Sequence, residues 1–314
     1  MDIPITQSKD WQHLQDDLGE TSFFEDNTDY QYLAILKKTP VGNYLYLPYG
    51  PVATSAVSFK RALASLTKLA QGQKAIFIRI EPQNPNFLAH SPKNIIKSKD
   101  LNPKETWVLD LTGSEDDLKA KLPSRLLRYH KNALKNGLTI KTTRNPDDIS
   151  YLLNLQKALA SKKGISTFSL DYLKTELKQP FATLYLANYQ NPDTNTEEIV
   201  AAGLVFDDAK TRYNLQGAQS EQGRKLHATG ILTIQLILDA KAKGLKSFDF
   251  WGIAPENAPA NHPWAGFTEF KKSFDGSIVN YAGTYDVILK HPQYHLYNLT
   301  RKLNRLIRRI RHEA

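Results

Sequence analysis

The residues best suited to chemistry crowd into the stretch from Tyr213 to Asp286. There Phe248-Asp249-Phe250-Trp251-Gly252 ends a β-forming run and opens a loop stiffened by Pro255, Pro259 and Pro263, and Glu269-Phe270-Lys271-Lys272-Ser273-Phe274 follows. A carboxylate and two ammonium groups can hold or move charge, and loops after strand ends are where sites usually lie. The same residues also have plainer readings: Asp249 as a turn cap, Trp251 as core, Lys271 and Lys272 as solvated charges.

Other chemistries are absent. Gly217 and Gly223 are followed by Arg-Lys rather than Lys-Ser/Thr, so no Walker loop exists, and Ser220 in Gly-Ala-Gln-Ser-Glu-Gln-Gly is not a nucleophile elbow. His291 and His295 are four apart, but Pro292 lies between them and no Glu follows the first, so no metal site is expected. Cysteine is missing altogether, which removes disulfides, thiolate metal sites and cysteine nucleophiles. The glycine signature that grips the pyrophosphate of coenzyme A before a long helix is also missing, and no cofactor is expected.

Charge is distributed unevenly. The chain of 314 residues carries a net charge of +9. Residues 118–146 hold eight basic side chains and no acid, and residues 301–314 hold six against Glu313 alone. The remainder is mildly acidic. Two basic patches on such a body suit a polyanion such as RNA, a diphosphate or an anionic lipid surface, with solvated helix faces as the equal alternative. A mean hydropathy of -0.46 and the lack of a basic-then-apolar leader fit a cytosolic protein.

The elements that must position these groups alternate along the chain. Hydrophobic patterning predicts strands at 30–37, 43–47, 74–80 and 106–111, a helix at 58–70, a capping-box start at Ser114 with Asp117, and a helix from Pro123 to about Asn136. Arg125, Arg128 and Lys135 share one side of that last helix. Helices at 149–162 and 170–177, strands at 184–189, 199–206 and 212–216, a long helix at 226–243 and a strand at 246–250 come next, and strands near 278–282 and 285–289 close the second half. Such an order occurs in N-acyltransferase domains of the GNAT type. The final helix spaces Leu299, Leu303, Leu306 and Ile310 by four, three and four. That stripe is expected to pack on the first domain, with its basic face available to an anionic membrane or RNA.

Six segments in order carry a resemblance: Tyr46 to Val52 (YLPYGPV), Phe77 to Pro82 (FIRIEP), Asp110 to Leu138, Tyr213 to Glu221 (YNLQGAQSE), Phe248 to Ile253 (FDFWGI) and Phe267 to Gly276 (FTEFKKSFDG). From about Leu45 to Leu289 the chain resembles the FemABX family of peptidoglycan peptidyltransferases. The resemblance implies an α/β (α+β) fold of two GNAT-like domains without a coiled-coil arm. The first domain would span 1–145, completed by a helix at 291–314, and the second 146–290. It implies an acyltransferase that moves an amino acid from aminoacyl-tRNA to the stem-peptide amine of a peptidoglycan precursor, either lipid II or a UDP-muropeptide. It further implies catalytic roles for Lys271, near the aminoacyl ester, and Glu81, near the acceptor amine. Substrate-binding positions would be Tyr49, Arg79, Ser166, Tyr172, Tyr213, Asp249 and Phe270. Phosphate or tRNA contacts would come from Arg125, Arg128, Lys131 and Lys272. Phe168 stands where some relatives carry a diphosphate-binding arginine; either Arg79, Arg125 and Arg128 replace it or the acceptor is presented differently, as on lipid II at the membrane. The competing readings are an N-acyltransferase using another activated donor on a polysaccharide or lipid, and a non-catalytic RNA- or envelope-binding module.

Overall fold

The computed structural model describes residues 3–88, 93–163, 167–192 and 194–313. In chain order the first elements are α1 (Lys9–Asp17), β1 (Thr21–Asp26), β2 (Tyr30–Lys37), β3 (Tyr44–Leu47), β4 (Val52–Ala53), α2 (Ala56–Gly72), β5 (Phe77–Ile80) and β6 (Ile95–Lys97). Then come β7 (Glu105–Asp110), α3 (Glu115–Lys121), α4 (Ser124–Lys131), β8 (Leu138–Thr143), α5 (Ile149–Lys163), α6 (Leu170–Lys178), β9 (Ala182–Gln190), β10 (Glu197–Asp207) and β11 (Thr211–Gln219). The rest are α7 (Glu221–Lys225), α8 (Ala228–Ala242), β12 (Ser247–Gly252), α9 (Ala265–Lys272), β13 (Ser277–Asn280), β14 (Tyr285–Ile288) and α10 (His291–Glu313).

The chain divides into two units, one formed by everything up to Lys104 together with the return from Asn280, the other by Glu105–Val279. The sheet of the first runs β1-β2-β3-β5-β14-β6, with β4 on β2, and that of the second runs β13-β7-β12-β11-β10-β9-β8. Each contains the run expected of a GNAT-type domain. Three strands pair antiparallel, a helix follows, and the next strand returns parallel to the third: β1-β2-β3-α2-β5 in one, β9-β10-β11-α8-β12 in the other.

Local sequence explains the helices. Ser55 caps α2 by accepting from Ser58 N, and Phe59, Ala62, Leu66 and Ala70 bury one face at helical spacing. α8 is apolar on nearly every side and is buried accordingly, from Ala228 to Ala240. Ser114 and Asp117 form the expected capping box. α4 stops at Lys131 rather than running on to Asn136; a short 3-10 turn follows, and Gly137 ends it at φ 71. Gly230 lets α4 approach α8, since a Cβ there would lie 2.6 Å from Leu126 Cδ2.

Two placements differ from expectation. Residues 105–145 join the second unit, because β7 pairs with β12 and Leu118, Leu122 and Leu126 enter the same core as Tyr185, Val200 and Leu232. α10 does return to the first unit, but through Tyr294 and Tyr297, which pack with Ile76, Phe77 and Ile288. The leucine stripe is not the packed face: Leu299 is 53% exposed and Leu303 is 49% exposed.

Each sheet also hides a cross-strand arginine–aspartate pair. Arg79 and Asp286 are register partners on β5 and β14, joined by bonds of 2.7 Å from Nε to Oδ1 and from Nη2 to Oδ2. Arg212 and Asp207 repeat this on β11 and β10, at 2.7 and 2.6 Å. Planar bidentate pairing satisfies charges that could not otherwise be buried.

Candidate functional site

In the second unit β11 and β12 pair in parallel only from Thr211/Ser247 to Tyr213/Asp249. Immediately beyond, the register of β12 on β7 shifts between Asp249 and Gly252, and Trp251 takes a left-handed φ of 66°. A bulky residue in that region is uncommon, and bulges often re-aim groups beside active sites. Asp249 holds the distortion by accepting Trp251 N–H at 2.7 Å through Oδ1.

The other half of the site comes from α9. Its Thr268 hydroxyl donates to Trp264 O at 2.7 Å and accepts from Ala254 N at 2.9 Å, tying the helix to the segment that leaves β12. Phe270 rests against Phe274, which in turn packs on Phe250. This anchorage sets Lys271 in the last turn, where its Nζ donates to Gly252 O at 2.7 Å and lies 5.2 Å from the Phe267 ring centre. Tyr213, edge-on to Trp251, is buried with its hydroxyl donating to Asp208.

Burial perturbs both charges here. It pushes the Asp249 carboxyl up to about 7, against the opposing pull of the Trp251 N–H and the Lys271 charge. Burial also pushes Lys271 down to about 8, with Asp249 working in the other direction. Opposed shifts of a neighbouring acid and base are characteristic of sites that handle protons or developing charge. The half-buried ammonium can stabilise an oxyanion or the oxygen of a leaving group.

The remaining expected residues of this unit lie elsewhere on it. Arg125, Arg128 and Lys131 are exposed on α4, and Lys272 is half-buried next to Lys271. Tyr172, on α6, stacks on Phe168 at 4.9 Å. Ser166 lies outside the described residues. Sequence reasoning missed what stands behind Tyr172: Glu176 is 3% exposed, and burial pushes its carboxyl up to about 7 despite hydrogen bonds from Tyr172 and Gln216. Gln216 donates to it at 2.9 Å and accepts from Gln156 at 3.2 Å, beside a cavity of about 270 Å³. Two signals for this were present, the i,i+4 spacing of Tyr172 and Glu176 and the place of Gln216 within YNLQGAQSE.

In the first unit Glu81 follows β5 and is buried. Its Oε2 accepts from Asn102 Nδ2 at 2.7 Å, Tyr46 hydroxyl at 3.2 Å and Tyr49 N at 3.3 Å. Its Oε1 accepts from Thr284 hydroxyl at 2.7 Å and Asn102 N at 3.3 Å. A carboxylate offers about four lone-pair sites. Glu81 is therefore a saturated hub and not an open carboxylate waiting for an amine. Tyr49 belongs to that hub: it is 3% exposed at φ 53, its hydroxyl donates to Pro103 O at 2.9 Å, and its ring lies 4.6 Å from that of Tyr281. Arg79 requires a correction. It is 1% exposed, engaged by Asp286 and flanked by the Tyr44 and Phe77 rings, so it faces the interior and not a solvent-borne diphosphate.

Known proteins share this architecture. The FemAB family model matches residues 175–302. Among curated proteins none matches the chain. The crystal structure of FemX superposes at a TM-score of 0.79 with 16% identity, covering 93% of this chain and 94% of that one. The C-terminal domain (DUF2156) of a putative lysylphosphatidylglycerol synthetase from Agrobacterium fabrum gives 0.61 with 15% identity over 94% and 92%. L-PGS from Bacillus licheniformis gives 0.57 with 13% identity over 97% and 99%. At these identities the structural matches establish the fold. The match to the FemAB family model lies within residues 175–302, and the fold shared with FemX extends along nearly the whole chain.

Proposed function

We propose that the protein is an aminoacyltransferase that moves an amino acid from aminoacyl-tRNA onto the stem-peptide amine of a peptidoglycan precursor, forming an interpeptide bridge. The observation that carries this reading is the half-buried Lys271 ammonium, held against Gly252 O where β11 and β12 part. In the reaction the neutral amine attacks the ester carbonyl, a C–N bond forms, and the carbonyl oxygen becomes an oxyanion. Collapse then breaks the bond to the ribose oxygen, which leaves with the proton the amine gives up. Amine and ester become amide and alcohol with no change of oxidation state.

A fixed ammonium favours either anionic oxygen along this path, and its stabilisation matters most where water is scarce. Asp249 supports the charged state of Lys271 electrostatically. Exposed Arg125, Arg128 and Lys131 on α4, with Lys272, would meet tRNA phosphates, and such contacts weaken steeply with salt. Glu81 would serve as a positioning residue for Tyr49 and Asn102.

The test is direct. Purified protein is incubated with charged tRNA pools and either lipid II or a UDP-muropeptide, and the acceptor is weighed by mass spectrometry. The expected result is a gain of one or more amino-acid residues on one acceptor, lost in Lys271→Met. No gain on either acceptor, with charged pools and folded protein, would overturn the reading.

A further inference from the structure

α10 has two unlike sides. Tyr294 and Tyr297 sink into the first unit, while Leu296 is 51% exposed, Leu299 53% and Leu303 49%. At 100° per residue these leucines fall on the side opposite the two tyrosines, so the face that docks the helix is not the face that carries its aliphatic stripe. The sequence continues the same spacing with Leu306 and Ile310. Between His291 and His312 there is no acidic residue, whereas Arg301, Lys302, Arg305, Arg308, Arg309 and Arg311 supply six positive charges.

We propose that α10 lies on an anionic phospholipid bilayer, its leucine stripe entering the headgroup–acyl boundary and the basic residues that border the stripe pairing with lipid phosphates. Three observations choose this occupant. An aliphatic stripe left exposed on a helix already anchored by other residues calls for an apolar phase. By sequence spacing Lys302, Arg309 and Arg311 fall beside the stripe, a cationic flank that calls for anions around that phase, each basic residue near such a surface being worth roughly fivefold in partitioning. Among the described residues no helix is long and apolar enough to cross a membrane, so the helix would lie in the interface. The long side chains of Lys302, Arg309 and Arg311 beside the stripe can extend past their own aliphatic stems to reach phosphates. Because Tyr294 and Tyr297 hold its first turns, the helix would bring the first unit to the membrane surface.

Flotation of the full chain with vesicles tests this without any substrate, so its outcome is separate from that of the transfer assay. The probes are vesicles of phosphatidylglycerol and phosphatidylcholine in equal parts, and of phosphatidylcholine alone. The expected result is flotation with the anionic vesicles only, reduced roughly tenfold or more by Leu299→Asp with Leu303→Asp, and also reduced by Lys302→Glu with Arg309→Glu. Both leucines are about half exposed, so the aspartate pair leaves the core intact, which circular dichroism and Tm check. Absence of flotation overturns the proposal, as does flotation indifferent to the leucine pair, which would mark charge attraction alone. A dimer in sedimentation velocity that the leucine pair dissociates, without vesicle binding, would assign the stripe to a second copy instead. tRNA retention lost in the Lys302/Arg309 variant, again without vesicle binding, would assign the helix to RNA.

Discussion

Lys271 donates to the carbonyl oxygen of Gly252 at 2.7 Å, so the ammonium of α9 is fixed at the point where β12 leaves its bulge. Burial has already pushed that ammonium down to about 8, and Asp249 is the charge opposing the push. If transfer needs the ammonium form, kcat/KM falls as pH rises through about 8. Asp249→Asn removes the opposing charge and moves this basic limb to lower pH. Lys271→Arg, whose guanidinium stays charged, abolishes the limb even if geometry lowers the plateau. Pre-steady-state transfer rates across pH measure all three, and a limb unmoved in Asp249→Asn would dissociate the two residues.

Glu176 makes the second unit sensitive to pH in a defined direction. Its carboxyl is raised from the usual 4.5 to about 7 by burial, so between those values the folded chain holds a proton that the unfolded chain has released. Stability therefore falls as pH rises through this window, and the cost, of order 3 kcal/mol, is complete above about pH 7. Glu176→Gln removes the titration while keeping an oxygen for Gln216. The variant should gain stability relative to the parent at pH 8 and gain little at pH 5, read from urea midpoints. Equal differences at the two pH values would rule out titration of Glu176 as the cause.

Much of this architecture is legible in the chain because short-range rules govern it. The run of β-forming residues Tyr30–Lys37 marks β2 to the residue, Ser114 with Asp117 marks the start of α3, and Gly137 marks a stop. What escapes are relationships between distant segments. Nothing within 105–110 says that β7 will pair with 247–252, so residues 105–145 are assigned to the wrong neighbour. Arg79 reads as a ligand-binding cation at a strand end because Asp286, its partner, is 207 residues away. In α10 the heptad-like leucines give the stronger periodic signal, yet two tyrosines make the contact, since aromatic rings fill the space beside Phe77. Of the candidate site, Asp249 lies on β12, and Phe270 and Lys271 are neighbours on α9. The coupling of Asp249 to Lys271 depends on burial, which no motif encodes.

The Arg79–Asp286 pair should behave as structure. Both side chains are essentially inaccessible, and Tyr294 hydroxyl also donates to Asp286 at 2.8 Å. Asp286→Ala leaves a guanidinium buried without its counter-charge and is expected to cost about 3–5 kcal/mol. Replacing both partners by apolar residues, Arg79→Met with Asp286→Leu, should recover much of that loss, because no uncompensated charge remains. Denaturant midpoints of Arg79→Met, Asp286→Leu and the double variant form the cycle. A small loss in Asp286→Ala would mean that Arg79 finds another partner and is free to serve a ligand after all.

Glu81 can be separated from a general base by the pattern of its failure. With five donors converging on two oxygens, Glu81→Gln forces an amide N–H₂ against at least one of them, either among Asn102, Tyr46 and Tyr49 or between Asn102 and Thr284. A conflict of this kind costs about 1–3 kcal/mol. As a hub, Glu81 would show that cost as a lower denaturant midpoint and a raised KM, with a turnover number that keeps its pH dependence, because the lost function is the posture of the Tyr49 segment. A catalytic base would show the reverse: an unchanged midpoint, a turnover lost by about 10²-fold or more, and loss of the acidic limb of the rate profile. The saturation of both carboxylate oxygens leads us to expect the first pattern. Asn102→Ala supplies the control, since freeing one lone pair of Glu81 should lower stability without improving the rate if the carboxylate never takes a proton from the substrate.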